Sequence, residues 1–91
     1  REVDELGWPL PIHGDYRKRL KSDIADLKNC DMSRLGGGTL TAAAFLEEFV
    51  DKRDWCHLDI GGTAYTSEPQ VYQGKGATAH GVRMLLKYLG A

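Results

Sequence analysis

The sequence has little that would mark a membrane-bound, secreted or nucleic-acid-binding protein. No apolar run approaches the roughly 20 residues needed to cross a bilayer, and no signal peptide is visible. Cysteine is scarce: Cys30 and Cys56 are the only two. They lack CxxC spacing and a secretory context, so two reduced, buried thiols in a cytoplasmic protein are expected. Basic excess is missing too. The net charge is -1, whereas binding phosphates needs a local surplus of Lys and Arg, which argues against a nucleic-acid or anionic-membrane partner. The one basic cluster, "RKRLK" (17–21), sits among acids and reads as a solvated helix face. No activated nucleophile is visible. Ser22, Ser33 and Ser67 have no nearby His base or elbow sequence, and Cys30 has no His–Asn context.

What is present suits one small globular domain. Ninety-one residues, 42% hydrophobic and 27% charged, bury about 60–65% of their unfolded surface on folding. The chain opens at Arg1 rather than Met, in the charged run "REVDE", and reads as a piece of something longer. "GWPLPI" (7–12) is extended by its prolines. "GDYRKRLKS" (14–22) predicts two helical turns capped by Asp15. "DIADLKN" (23–29) reads as a short strand, and "CDMSRLGGG" (30–38) as a permissive loop.

The clearest helix is "TLTAAAFLEEFVDK" (39–52). Ala42, Phe45, Leu46, Phe49 and Val50 form one apolar face, while Glu47, Glu48 and Asp51 take the wet side. Ala43 and Ala44 keep a flank narrow enough for another element to approach. "WCHLDI" (55–60) predicts a second strand with Cys56, Leu58 and Ile60 on its core face. A long loop (61–77) follows. The last helix (78–89) is capped by Thr78, turns Val82, Leu85, Leu86 and Leu89 inward, and ends at a left-handed Gly90. Strands alternating with helices favour an α/β layer with parallel pairing.

His57 and Asp59 fall on one strand face, opposite the core row. A metal site there needs at least one more ligand and an open position, and His13 and His80 stand at no ligand-like spacing. A buried pair satisfied by backbone or polar neighbours is the simpler reading. "GKGATAHG" (74–81) superficially suggests a phosphate loop. A P-loop, however, needs Lys and then Ser or Thr after its last Gly, and Gly81 is followed by Val82 and Arg83. A dinucleotide fingerprint needs a strand directly before it, where a long loop stands instead.

Four motifs carry a resemblance. "WCHLDIGGTAY" (55–65) resembles W-x-H-L-D-I-A-G-T-A. "GWPLPI" followed by "DYRKRLKSDIADLKN" is similar to a W-x-L-P-L, helix and A-D-x-x-N run. "GGGTLTAAAFLEEFV" resembles G-G-x-I-T-A-A-x-F-L-x-x-F-V, and "GKGATAHGVRMLLKYL" resembles G-A-T-G-x-G-V-R-x-L. In this order and spacing they are similar to the leucyl aminopeptidase family, the cytosolic M17 metallo-aminopeptidases, over nearly the whole chain.

The resemblance implies the C-terminal part of a metallopeptidase catalytic domain, with helices packed on a mostly parallel or mixed sheet. It further implies a cytoplasmic hexamer that removes N-terminal residues from peptides. Such enzymes use two divalent metal ions (zinc or manganese) that activate water and polarise the carbonyl, an activating Lys, and an Arg with bicarbonate. Those groups belong to an upstream stretch containing N-T-D-A-E-G-R, which this sequence does not contain, so no catalytic or metal residue carries over. The 91-residue chain alone is expected to be inactive and to bind no metal pair. What carries over is pocket wall. Gly61 and Ala64 match positions lining the pocket for the substrate's N-terminal side chain, S1. Gly61 stands where the family usually has Ala, which widens that pocket slightly. Cys30 matches a residue lining S1′ in some members. The other reading is a standalone, non-catalytic assembly module of the same fold.

Overall fold

Among the described residues, three short helices and two two-residue strands make up the regular structure. They run in the order α1 (Gly14–Lys18), α2 (Gly38–Glu47), β1 (Tyr65–Thr66), β2 (Gly76–Ala77) and α3 (Val82–Tyr88). The computed structural model describes residues 2–71 and 73–91; Tyr72, within the predicted 61–77 loop, lies outside the described residues. The chain divides into two compact units, one of Pro9–His57 and one of Arg1–Trp8 with Leu58–Ala91.

In the first unit α1 packs on α2. Helix α1 is shorter than its sequence predicts and is capped by His13, whose Nδ1 accepts the Asp15 N–H at 3.3 Å. Asp15 instead sits in the first turn, where it favours the helix dipole and accepts from Lys18 Nζ at 2.8 Å. Only Arg17 and Lys18 of the basic cluster lie on the helix; its charged members are exposed or half-buried, and three of them are paired. Arg17 bonds Glu47, its Nε lies 3.9 Å from Glu48, and Arg19 reaches Asp31 at 3.3 Å. Only Leu20 of this segment enters the core, at 1% exposure.

The narrow flank of α2 is its buried side. Ala43 and Ala44 are buried together with Thr41, whose hydroxyl donates back to the Gly38 carbonyl at 3.0 Å. Helix α2 ends at Glu47, five residues short of the predicted 52, so Phe49 and Val50 lie beyond it. The predicted apolar face is mostly uncovered: Ala42, Leu46 and Phe49 are exposed, and Phe45 packs edge-on against Phe49 at 5.1 Å between centroids. Glu47, assigned to the wet side, is half-buried. Small residues lose little side-chain entropy and let backbones approach, so they take the one contact available.

The two predicted strands are the main departure. Residues 23–26 form bends, because the Ser22 hydroxyl accepts the N–H groups of Ile24 (3.3 Å) and Ala25 (3.1 Å). A local turn of this kind takes amides that a ladder would use. Residues 55–60 have no strand assignment. Their alternation survives with its sense reversed: Trp55 and His57 are half-buried, while Cys56, Leu58 and Ile60 are exposed. Both thiols are free, as expected, but exposed rather than buried. A strand needs a neighbour's N–H and C=O groups along its length, and among the described residues the only ladder pairs β1 with β2.

In the second unit the stretch read as a loop contains the only strands among the described residues. β1 and β2 pair antiparallel, Tyr65 opposite Ala77 and Thr66 opposite Gly76. Between them Gln70 and Gln73 exchange backbone bonds of 2.7 and 3.2 Å. No parallel pair occurs among the described residues, so the structure is a mixture of short helices and strands. Helix α3 starts three residues later than predicted, after Gly81 instead of Thr78. Its C-terminus is as expected: Gly90 is left-handed (φ 75°), with Gly90 N–H bonding Lys87 O and Ala91 N–H bonding Leu86 O. Val82, Leu85, Leu86 and Leu89, assigned inward, are exposed.

Candidate functional site

Directly after residue 59 the chain reverses in a tight turn. The Ile60 carbonyl accepts the N–H groups of Thr63 (3.0 Å) and Ala64 (2.8 Å), and Asp59 Oδ1 accepts the Gly61 N–H at 2.8 Å. An added Cβ at Gly61 would stand 3.2 Å from that carboxylate oxygen. Asp59 is therefore satisfied by backbone, as the sequence suggests, though it is exposed rather than buried. His57 is half-buried, 6.3 Å from Trp55 between ring centroids.

Thr78 closes the far side of the turn. Its N–H donates to the Ala64 carbonyl (2.9 Å), and its hydroxyl donates to the Thr63 carbonyl (2.5 Å) and accepts the His80 N–H (3.2 Å). Gln73 Nε2 in turn donates to the Thr78 carbonyl at 3.2 Å. A residue predicted as a helix cap thus works as a clasp between the turn and the segment leading into α3. Beside it lies an open cavity of about 430 Å³, whose lining includes Gly62, Thr63, Tyr65, Thr78, His80 and Arg83. Gly61 and Ala64 belong to the same turn but not to that lining.

Glu5 is the residue that sequence reasoning missed. Among the described residues it and Thr41 are the buried polar ones, and its side chain is only 3% exposed. Oε2 accepts the Met84 N–H at 2.8 Å, and Oε1 lies 3.5 Å from Arg83 Nε. Burial pushes its carboxyl upward. The Met84 and Gly81 N–H groups and the Arg83 guanidinium outweigh that and hold it below the ordinary value. The partner lies 79 positions away, so no local pattern announces it.

Cys30 lies in the other unit. It precedes Asp31, whose Oδ1 accepts the Ser33 N–H at 2.8 Å while Arg19 holds both Asp31 Oδ2 (3.3 Å) and the Gly36 carbonyl (2.8 Å). These bonds shape the glycine loop and leave the Cys30 thiol exposed. Among the described residues no group of three or more His, Cys, Asp or Glu side chains is placed to hold a metal ion. Among them no helix is long and apolar enough to cross a membrane.

The description "cytosol aminopeptidase family, catalytic domain" matches residues 1–86. A "Probable cytosol aminopeptidase" of Geobacter sp. (strain M21) is 50% identical over 88 residues, covering 97% of this chain and 18% of the relative. Proteins of the same name from Geobacter sulfurreducens and Roseiflexus castenholzii are each 51% identical, covering 92% and 93% of this chain and 16% and 17% of their own lengths. Matches of this extent place the chain among the peptidases. It belongs to the cytosol aminopeptidase family, within the catalytic domain. The chain spans less than a fifth of the length of these relatives.

Proposed function

We propose that this chain supplies scaffold and substrate-pocket wall to a leucyl aminopeptidase, a cytoplasmic hexamer that removes N-terminal residues from peptides. Gly61 and Ala64 line S1, and Cys30 contributes to S1′. The observation supporting this reading is the Ile60–Ala64 turn, fixed by Asp59 on one side and Thr78 on the other. A wall held at both ends presents the same shape to each substrate. A glycine and a methyl group there leave room for a leucine-sized side chain.

In this reading the chain is one piece of a single catalytic domain. Residues 55–60 become a strand of its mostly parallel or mixed sheet once neighbouring strands are supplied. The exposed apolar faces of α2 and α3 become its interior. The two divalent metal ions, zinc or manganese, belong to the remainder of the domain. The donor set described here does not fit a metal centre, and no step of hydrolysis is assigned to these residues. Their part is to orient the substrate side chain.

A chimera tests the proposal. This segment replaces the matching stretch of the Geobacter sulfurreducens relative, and kcat/KM is measured for leucyl and alanyl substrates. Activity is expected in the chimera, and none in the 91-residue chain alone. Ala64→Phe should fill the pocket and lower the leucyl-to-alanyl ratio by about one to two decades, since burying a leucine-sized group is worth roughly 1.5–3 kcal/mol. A folded Ala64→Phe chimera with an unchanged ratio removes Ala64 from the wall. A folded hexameric chimera without activity favours the non-catalytic assembly module, to which the exposed helix faces also lend themselves.

A further inference from the structure

We propose that Glu5 is a positioning residue for the glycine turn, acting at a distance through the start of α3 and Thr78. This rests on the pocket-wall reading only for its enzymatic consequence; the mechanical coupling stands on the bonds themselves. Glu5 holds the Met84 N–H and Arg83 at the first residues of α3. Within that start Leu85 N–H bonds Gly81 O (2.9 Å) and Val82 N–H bonds Ala79 O (3.1 Å). His80 N–H then bonds the Thr78 hydroxyl, and Thr78 holds the carbonyls of Thr63 and Ala64. These hydrogen bonds and the ion pair are joined to one another by short stretches of backbone, 78–80 and 81–85, inside one compact unit.

The physical case is one of missing alternatives. Helix α3 has no side-chain cap of its own: Gly81 stands at its N-cap in the left-handed conformation (φ 98°), and no acidic residue lies in its first turn. Orphan N–H groups at a helix start need an acceptor, and the buried carboxylate of Glu5 supplies it. A buried charge is expensive unless paired and hydrogen-bonded, so Glu5 and the start of α3 are each stable only with the other present. Losing Glu5 leaves the start of α3 free to fray, and the backbone running back from it reaches Thr78 within four residues of Val82.

Amide hydrogen exchange in the full 91-residue chain, followed residue by residue by NMR without any substrate, tests the coupling. Glu5→Ala should speed exchange about tenfold or more at Met84, Thr78 and Ala64. Lys28, bonded to Leu20 O at 2.7 Å in the other unit, serves as the reference and should not change. Glu5→Gln keeps an acceptor oxygen and should recover most of the protection. Faster exchange at Met84 with wild-type rates at Thr78 and Ala64 overturns the proposal. Should Glu5→Ala unfold, Glu5→Gln decides: rates at Met84 and Ala64 that change in step support the coupling, and rates that change independently overturn it. In the chimera, Glu5→Ala should raise KM for leucyl substrates more than it lowers kcat, and Glu5→Gln should restore most of the wild-type KM. A coupled turn with no such KM change counts against the pocket-wall reading and not against the clamp.

Discussion

The ring of Tyr16 fills the space that a side chain at residue 37 would need. A Cβ built on Gly37 would stand 2.8 Å from Tyr16 Cε1, and Gly37 is left-handed as well, with φ 73°. The carbonyl of Gly37 accepts the N–H groups of Leu40 and Thr41, both at 3.0 Å, so this residue also starts α2. Gly37→Ala should therefore destabilise the protein by about 2 kcal/mol or more, combining left-handed strain with a displaced ring. Gly38 is the control. Its added Cβ meets nothing within 4 Å, so Gly38→Ala should be neutral or stabilise by up to about 1 kcal/mol. Urea midpoints of the two variants decide; equal midpoints would refute the steric argument.

Ala79 carries strain that a smaller residue would remove. It is left-handed (φ 54°) two residues before the left-handed Gly81, and the motif it resembles has glycine at that position. Ala79→Gly should stabilise the chain by about 0.5–1 kcal/mol, since a Cβ in this region is disfavoured. A lower thermal midpoint for the variant would contradict this.

Acid should loosen both units through named carboxylates. Asp31 is held below its ordinary value first by the Ser33 hydroxyl, then by the Ser33 N–H and Arg19, and Glu5 is likewise lowered. A carboxyl whose folded value is depressed binds fewer protons than the unfolded chain does as the pH falls. Its contribution is thus complete above the unfolded value near pH 4 and is lost as pH drops through the lower folded value. Stability measured from pH 7 to pH 2 should fall below about pH 5, and Asp31→Asn should flatten that fall. The same slope in the variant would show that Asp31 is not responsible.

Leu58 separates the chain from the domain it belongs to. At 49% exposed, it has only about half its burial to lose, so Leu58→Ala should cost about 1 kcal/mol in the 91-residue chain. In the chimera, where the strand gains neighbours, the cost should rise to about 2–5 kcal/mol. Chemical unfolding of both pairs gives the comparison. Equal costs would mean that the rest of the domain never covers this face.

The sequence by itself determined those features whose causes lie within a few residues. Helices close their own hydrogen bonds from one residue to the fourth before it, so α2 and α3 were legible from periodicity, and Gly90 from its place after the last apolar residue. The acids around "RKRLK" likewise marked its charged residues as solvated, though the helix face expected there ends at Lys18 and Leu20 is buried. The family was legible because four motifs keep their order along the chain. Tertiary structure alone decided which faces are covered and which extended segments are strands. A strand's partners come from elsewhere in the chain, so alternation at 55–60 specifies two faces without saying which one is buried. The Ser22 turn shows the competing outcome, a hydroxyl capturing the amides that a neighbour would otherwise take. Glu5 belongs to the same class. Nothing around position 5 indicates a helix cap, because the N–H it satisfies lies 79 residues away, and only folding brings the two together.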